Sequence, residues 1–222
     1  MKSREMKTVA RTLFILSVFL LSTLLHPPSV PAQSQPLSLT WAFIVAGSGG
    51  PDRVIDVAKK PVIHSGERMR IVVERRTPCH VYLFLLDAHD ELAVLCPPPP
   101  SFSERAKEAK IELPREGEWY TVDESIGIET FSLLVSSRPL ESLAKAARAF
   151  AEKPQSAEAK AAVLEEIKKA RRSHSSLASV VEKGVPMAGT LQTRSAQSAP
   201  QGEATEVKAQ EFYAKTIRLR HE

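Results

Sequence analysis

Four side chains that could bind a metal ion lie close together in the sequence: Cys79, His80, His89 and Cys96. Thiolates and imidazoles are the ligands that zinc prefers, but structural zinc sites carry them in paired spacings such as Cys-x-x-Cys. These four residues show no such pairing. Cys79 and His80 also point to opposite faces of a strand, so they cannot both reach one ion without a bulge. The spacing therefore predicts no metal site.

The two cysteines raise the separate question of a disulfide. If Leu86 pairs with Glu91 in the predicted hairpin, residue 81 faces Cys96, and Cys79 and Cys96 are diagonal neighbours. Diagonal Cβ atoms are about 7 Å apart, whereas a disulfide needs about 3.8 Å. This register opposes a bond. An oxidising compartment favours one, and a bulge or a two-residue slip would close the gap, so the sequence leaves the disulfide open.

Two further patterns suggest chemistry. Asp87, Asp90 and Glu91 cluster at a predicted turn, where acids are normally solvated, whereas a glycosidase needs two carboxyls across a cleft.

Residues 47–50, Gly-Ser-Gly-Gly, follow a strand as in a dinucleotide-binding turn. The third glycine of that fingerprint would fall at Asp52, and no clear amphipathic helix follows. The sequence thus predicts no catalytic residue and no cofactor.

The elements that would position these residues are mainly strands. Residues 69–94 read as three successive strands, and the middle one, 81–86, is apolar on both faces. Residues 37–46 and 130–136 alternate apolar and polar side chains, which predicts half-buried strands. Each apolar face needs a second sheet or a helix layer to cover it. The inward-facing residues predicted for the first strand are Leu37, Leu39, Trp41, Phe43 and Val45.

Helical periodicity replaces the alternation between residues 138 and 172, with Ser137 as a candidate N-cap. The sequence therefore predicts an antiparallel β-sandwich-like domain with a helical insertion before its last strand, and mixed α+β packing is the alternative. The apolar stripes of the two helices are Leu140, Leu143, Ala147 and Phe150 in the first, and Val163, Ile167 and Ala170 in the second.

The first 32 residues predict export. Residues 12–25 form an uncharged apolar run that follows a basic stretch, and it is shorter than the roughly 20 residues of a transmembrane helix. Small residues before Gln33 are typical of a signal-peptidase site, so we expect cleavage between Ala32 and Gln33. The alternative is an uncleaved N-terminal anchor. With cleavage, the protein is periplasmic or extracellular and contacts the membrane only in transit.

Charge gives no support for a nucleic-acid partner. The whole chain carries a net charge of +4, but residues 1–32 hold four basic residues and one acidic residue. They contribute +3, and the remainder carries +1. Nucleic-acid binding depends on a strongly basic surface, which a nearly neutral chain does not provide.

The C-terminal part of the chain defines the remaining limits of the domain. We expect the β-rich domain to span residues 33–191, followed by a disordered linker over 192–206 that is rich in Gln, Ser, Ala and Thr. Residues 207–222 are predicted to return to the domain as a strand. Its buried face carries Tyr213, Ile217 and Leu219, and its wetter face carries Arg218 and Arg220.

Several short motifs occur in an order that resembles a known family. Ser65-Gly66-Glu67 precedes a strand, residues 80–84 form the central strand, and residues 87–97 give a turn, a short strand and a proline. Residues 127–129 then lead into residues 133–139, Leu-Leu-Val-Ser-Ser-Arg-Pro. Residues 64–143 thereby resemble the bacterial domain-of-unknown-function family 4384. Cys96 stands where the family usually has an aromatic residue, and Pro98 stands where it usually has Asn.

The resemblance implies a compact β-rich domain of exported or multidomain bacterial proteins, without catalytic residues to carry over. We therefore expect an exported, non-catalytic interaction module of the bacterial cell envelope that binds a protein or another envelope component. The alternative is an envelope enzyme or a sensor domain that binds a small ligand. A deep pocket with converging polar groups would favour the alternative, whereas a flat surface with an apolar strip would favour the interaction module.

Overall fold

A computed structural model of the protein describes residues 36–96, 109–174, 180–187 and 200–222. The predicted cleavage site between Ala32 and Gln33 lies outside these residues. The described residues form twelve strands, a short 3-10 helix and two α-helices. The strands are β1 (Leu37–Val45), β2 (Arg53–Val54), β3 (Val62–Ile63), β4 (Arg68–Arg75), β5 (His80–Leu86), β6 (Leu92–Cys96), β7 (Lys110–Leu113), β8 (Tyr120–Thr121), β9 (Gly127–Ser136), β10 (Val181–Pro186), β11 (Glu203–Ala209) and β12 (Phe212–His221). The 3-10 helix is Val57–Lys59, and the α-helices are α1 (Glu141–Glu152) and α2 (Ala157–His174).

The strands form two sheets, and this confirms the predicted β-sandwich-like domain with a helical insertion. Sheet A has the order β10-β11-β1-β4-β7, with β2 beside β1 and β8 beside β4. Sheet B has the order β3-β12-β9-β5-β6. All pairs are antiparallel except β3 with β12, which is parallel.

The main core lies between the two sheets. All five inward-facing residues predicted for β1 are buried, as are Phe131, Leu133 and Val135, the alternate apolar residues of the predicted strand 130–136. The ring of Phe43 in sheet A meets the ring of Phe131 in sheet B edge-on, with 4.9 Å between centroids. Such edge-to-face pairs add to the stabilisation that burial provides.

The second face of β1 is also covered, so the prediction of a half-buried strand is wrong there. Ala42 and Ile44 are 2% and 1% exposed, and they pack in a small cluster with Val72, Met187 and Ala204. Two of these partners lie more than 140 positions away in the chain. A periodicity read within one strand cannot detect them.

The three strands predicted at residues 69–94 are present, but they do not share one sheet. β4 belongs to sheet A, whereas β5 and β6 belong to sheet B. The chain changes sheets at residues 76–79, where Thr77 Oγ1 accepts a hydrogen bond from the backbone N–H of Ser38 at 2.9 Å. β5 is apolar on both faces because one face meets the inter-sheet core and the other meets the helices.

The two helices form a third layer on the outer face of sheet B. The buried residues of α2 are the predicted Val163, Ile167 and Ala170, and those of α1 include Leu143, Ala147 and Phe150. They pack on Tyr82, Phe84 and Leu134 of the sheet. No helix among the described residues is long and apolar enough to cross a membrane.

The first helix begins at Glu141, and Ser137 does not cap it. The backbone N–H of Ser137 donates to the carbonyl of Glu211, so this residue still follows the sheet. The phenolic oxygen of Tyr82 instead accepts the N–H of Leu140 at 2.9 Å. For α2, the Oγ of Ser156 accepts the N–H of Ala159 at 3.1 Å, which is a regular N-cap contact.

The C-terminal strand is β12, and it pairs with β9 over ten residues. Tyr213, Ile217 and Leu219 are buried while Arg218 and Arg220 are exposed, as their alternation predicts. The predicted linker at 192–206 extends too far, because residues 203–206 belong to β11 and Ala204 is buried. The Thr, Ala and Glu residues of this segment pair with β1 and β10. These pairs with other parts of the chain make it a strand, which its composition does not indicate.

A buried hydrogen bond links β12 to sheet A. The indole N–H of Trp41 donates to the phenolic oxygen of Tyr213 at 3.1 Å, and both residues are 1% exposed. Replacing Tyr213 with Phe leaves this N–H without its acceptor in a dry core, so we expect a loss of about 1–3 kcal/mol. Urea denaturation measures this loss. An unchanged midpoint would show that the bond contributes nothing to stability.

Candidate functional site

The structure does not bring the four predicted metal-ligand candidates together. Cys79 and Cys96 lie in the core between the sheets, whereas His89 is exposed at the β5–β6 turn. His80 follows Cys79 and is half-buried on the opposite face of β5. Among the residues described, no three His, Cys, Asp or Glu side chains are arranged to hold a metal ion.

Cys79 and Cys96 are not joined by a disulfide, and the hairpin register differs from the predicted one. Leu86 pairs with Leu92, not with Glu91, and the register shifts between Leu83 and Phe84 so that Leu83 faces Cys96. Cys79 then lies four residues, or about 13 Å, along the strand from the position opposite Cys96. That distance exceeds the Cα separation that a disulfide allows. The bulge therefore moves the two thiols apart.

The structure predicts how these thiols react. Both are buried, and burial raises the pKa of Cys79 to about 11, so its thiolate is scarce at neutral pH. We expect iodoacetamide, without reductant, to modify both cysteines in denaturant and neither at a comparable rate in the folded protein. Intact mass checks this. A mass two hydrogens low, with no alkylation in denaturant, would show a disulfide.

The other two candidate patterns have structural roles. One carboxylate oxygen of Asp87 accepts the backbone N–H groups of His89 and Glu91, which closes the β5–β6 turn, and Asp90 and Glu91 are exposed. After residues 47–50 the chain enters β2, not a helix, so there is no helix N-terminus for a phosphate. Asp52 closes that loop by accepting the N–H of Gly47 and pairing with Arg70.

A cavity of about 180 Å³ lies between the two sheets at one end of the sandwich. Its polar side carries three carboxylates, from Asp87, Asp123 and Glu129, together with the imidazole of His221. No Lys or Arg is among the described residues that line it. Its apolar floor is formed by Ile63, Met69, Leu85, Leu95 and Phe131, and Tyr120, Thr121 and Val122 complete the wall. The cavity thus combines negative charge with an apolar surface.

His221 is held rigidly at the end of β12. It is 1% exposed, and its Nε2 lies 3.1 Å from the Oγ of Ser65. The chain on either side is fixed by backbone bonds, from the N–H of Arg220 to Pro61 and from the N–H of Glu222 to Ile63. The second ring nitrogen, Nδ1, has no hydrogen-bond partner and lies 4.0 Å from Asp123.

Glu129 is the most deeply buried carboxylate of the cavity, with 9% exposure. Burial raises its pKa, and the negative charge of Asp87 raises it further. The backbone N–H of Ala88 and the nearby His221 act in the opposite direction but do not cancel the shift. Glu129 therefore keeps its proton to a higher pH than an exposed glutamate does.

Ser65, His221 and Asp123 are neighbours in space and have the side-chain types of a Ser-His-Asp triad. They lack the hydrogen-bond geometry and the oxyanion-binding N–H groups of a hydrolase. The 4.0 Å between Asp123 and Nδ1 is too long for the bond that orients a catalytic imidazole. The N–H groups of Ser65 and Gly66 donate to the carbonyls of Glu222 and Val122. Neither is available to stabilise an oxyanion. The three side chains therefore do not have the geometry of a catalytic triad.

Glu129 and His221 were not predicted as site residues, although both leave a signal in the sequence. Glu129 lies on the same face of β9 as Phe131 and Leu133. His221 lies on the same face of β12 as Ile217 and Leu219. Each is a polar residue on the buried face of its strand. Because Leu219 pairs with Glu129, the two strands present these polar residues at the same end of sheet B. The strand predicted over residues 130–136 began one residue after Glu129, and this hid the pattern.

The charge of Glu129 should lower the stability of the protein at neutral pH. With a raised pKa, the folded state binds this proton more tightly than the unfolded state, so stability rises as pH falls through that pKa. Glu129→Gln keeps an acceptor for Ala88 without the charge. We expect it to raise the Tm by a few degrees at pH 7. The gain should shrink as the pH falls below the pKa of the folded state and vanish below the pKa of glutamate in the unfolded chain.

Thermal denaturation over a range of pH measures this difference. Glu152→Gln is the matched control, since Glu152 is exposed at the end of α1, and its Tm should follow that of the wild type. A Glu129→Gln variant that melts lower than the wild type at pH 7 would contradict a destabilising buried charge.

Comparison with known proteins confirms the resemblance found in the sequence. Residues 62–139 match the model of a family described as Domain of unknown function (DUF4384). No curated protein and no solved structure is significantly similar to the chain. The match runs from β3 to the residues before α1, so it contains the three cavity carboxylates but not His221.

Proposed function

We propose that this chain is an exported, non-catalytic interaction module of the bacterial cell envelope, and that it binds its partner through the cavity at the end of the sandwich. The observation that carries the proposal is the cavity itself. Its buried acid and fixed imidazole stand over an apolar floor, and this combination provides both charge selectivity and contact area.

The buried charge supports a role in binding. An ionised carboxylate that is 9% exposed costs stability unless it is paired, and Glu129 faces two further acids, Asp87 and Asp123. A core that served only packing would be more stable with an apolar or neutral residue at this position. Groups held at such a cost are characteristic of functional sites.

A second candidate is a sensor domain that binds a small ligand, and the concave lining of the cavity favours it. The lining comes from both sheets and from the β5–β6 turn, so a bound ligand would bridge elements that are distant in sequence. A protein partner would differ from a free ligand in one respect. It would also contact the rim of the cavity, where Thr121 and Asp123 are exposed.

Export is tested by the N-terminus of the secreted form. Expression of the full chain in a Gram-negative host should place the protein in the periplasmic or extracellular fraction, with a sequence that begins at Gln33. Membrane-bound protein that begins at Met1 would support an uncleaved anchor instead, and would overturn the proposed location.

The binding role is tested by site-specific photo-crosslinking in the native host. A photoreactive phenylalanine at Thr121 stands at the cavity rim, and one at Glu152 stands on α1, on the outer side of sheet B. We expect a defined crosslinked species from Thr121 and not from Glu152. A small-ligand sensor would give no protein crosslink and would retain a ligand in native mass spectra. Identical crosslinks from both positions, or neither a crosslink nor a ligand, would contradict the proposal.

A further inference from the structure

We propose that the cavity binds a primary ammonium group on a short alkyl chain, such as the end of a lysine side chain or a free alkylamine. This inference rests on the proposed function and names the chemistry of the partner. It follows from the size of the cavity, from a buried nitrogen without a hydrogen-bond partner on a residue of its wall, and from the way in which its carboxylates are already bonded.

The size of the cavity limits the ligand. Pockets for drug-sized molecules and cofactors hold about 300–1,000 Å³. This cavity holds about 180 Å³, close to an engineered cavity of about 150 Å³ in another protein that binds benzene. A nucleotide or a sugar chain would not fit within this volume. One long side chain or a small amine has the right volume.

The polar groups of the cavity select a cation that donates several hydrogen bonds. His221 is 1% exposed, and its Nδ1 has no hydrogen-bond partner although the ring lines the cavity. In the tautomer whose Nε2–H donates to Ser65, Nδ1 is an acceptor. An ammonium group has three donors, and Nδ1, Glu129 and one rim carboxylate offer three acceptors around the same space.

The existing bonds of the carboxylates favour an ammonium over a guanidinium. Arginine binds best to a carboxylate that offers both oxygens in a fork. Glu129 already accepts the N–H of Ala88, and one oxygen of Asp87 accepts two backbone N–H groups. Asp123 likewise accepts the N–H of Ser125 at 2.7 Å. Each acid thus has an oxygen engaged, whereas an ammonium needs only one oxygen from each.

The apolar floor suits the chain that carries the ammonium. Lysine buries its methylene stem against apolar surface while its charged end meets polar groups. Leu85, Leu95 and Phe131 provide such a surface next to the acids. A bare inorganic cation would not use this floor, so an alkylammonium should bind more tightly than ammonium itself.

The experiment is isothermal titration calorimetry on the exported chain at pH 7.5. The probes are n-butylammonium and Nα-acetyl-lysine methylamide, with 1-pentanol and Nε-acetyl-lysine methylamide as neutral counterparts. We expect both amines to bind saturably and the neutral compounds not to bind. A tighter lysine derivative indicates a polypeptide source, and a tighter butylammonium indicates a free amine; either result supports the shared chemistry.

Three variants locate the site. Glu129→Gln should weaken amine binding by about tenfold or more, the usual effect of losing a charge-assisted hydrogen bond, while Glu152→Gln should leave it unchanged. Leu85→Phe should block binding by filling the floor without changing any charge. Circular dichroism and thermal melts confirm that each variant folds.

Equal binding of the neutral compounds, an unchanged affinity in Glu129→Gln or the absence of saturable binding would overturn the ammonium assignment. The crosslink at Thr121 separates this failure from that of the proposed function. A defined partner at Thr121 without amine binding would leave the interaction module in place with another ligand chemistry. Amine binding without any protein crosslink would point to the sensor.

Discussion

Deletion of residues 210–222 should abolish cooperative folding. The deleted part contains all of β12, which lies between β3 and β9 within sheet B. Its loss uncovers the main core and exposes the edge of β9. Burial of Ile217 and Leu219 alone contributes about 1.5–3 kcal/mol each, a large share of the roughly 5–15 kcal/mol that stabilises a typical domain. Thermal melts and size-exclusion chromatography should show an unfolded or aggregated chain.

A pair of point variants separates the lost strand from a general effect of shortening. Leu219→Ala removes a fully buried side chain and should cost about 2–5 kcal/mol, whereas Arg218→Ala on the exposed face of the same strand should cost little. A truncated protein that melts cooperatively at the full-length temperature would show that β12 is not part of the fold.

Phe43→Ala should destabilise the protein by about 3–5 kcal/mol, as is usual for a buried phenylalanine. Phe43 is 1% exposed, packs against Trp41 of its own strand and joins the two sheets through its contact with Phe131. Its removal leaves a cavity where the sheets meet. Urea denaturation with the slope fixed by the wild type measures the change in the free energy of unfolding.

The matched control for this prediction is Ile126→Ala. Ile126 is also a large apolar residue, but 71% of it is exposed, so its truncation should change stability by about 0.5 kcal/mol or less. Equal losses in the two variants would show that the inter-sheet core does not dominate the stability of the sandwich.

The local sequence pattern predicts six of the twelve strands that the structure describes and both helices, because an apolar face must repeat with the period of its element. Trp41 and Phe43, for example, alternate on β1, and Leu143 and Ala147 follow α1. The same pattern cannot assign strands to sheets. β4 and β5 are consecutive and both apolar, yet they lie in different sheets, and only their long-range pairs with β1 and β9 decide this.

Register depends on geometry that the sequence only partly encodes. The bulge between Leu83 and Phe84 changes the position opposite Cys96, and with it the outcome for the disulfide. A one-residue change of register is compatible with the apolar residues of the short β6, since their side chains are all only half-buried before Cys96. The pairing is therefore weakly specified by hydrophobicity alone.

The candidate site was the hardest part to predict, because its polar residues come from four separate segments. Glu129 and His221 are 92 positions apart in the chain, and they approach because β9 and β12 pair along their whole length. The alternation of apolar and polar residues in the sequence places both residues on the buried face of their strands. The cavity between the sheets is not, since it requires the opposing wall from β4 and β8.

The most direct test of the account is a residue-resolved titration of the ¹⁵N-labelled exported chain with n-butylammonium. We expect chemical-shift changes to cluster around the cavity, above all at the N–H of Ala88, which donates to Glu129, and at Thr121 and His221. Helices α1 and α2 on the outer face of sheet B should remain unchanged. Changes that spread over exposed acids, or that centre on the helices, would contradict a binding site between the sheets.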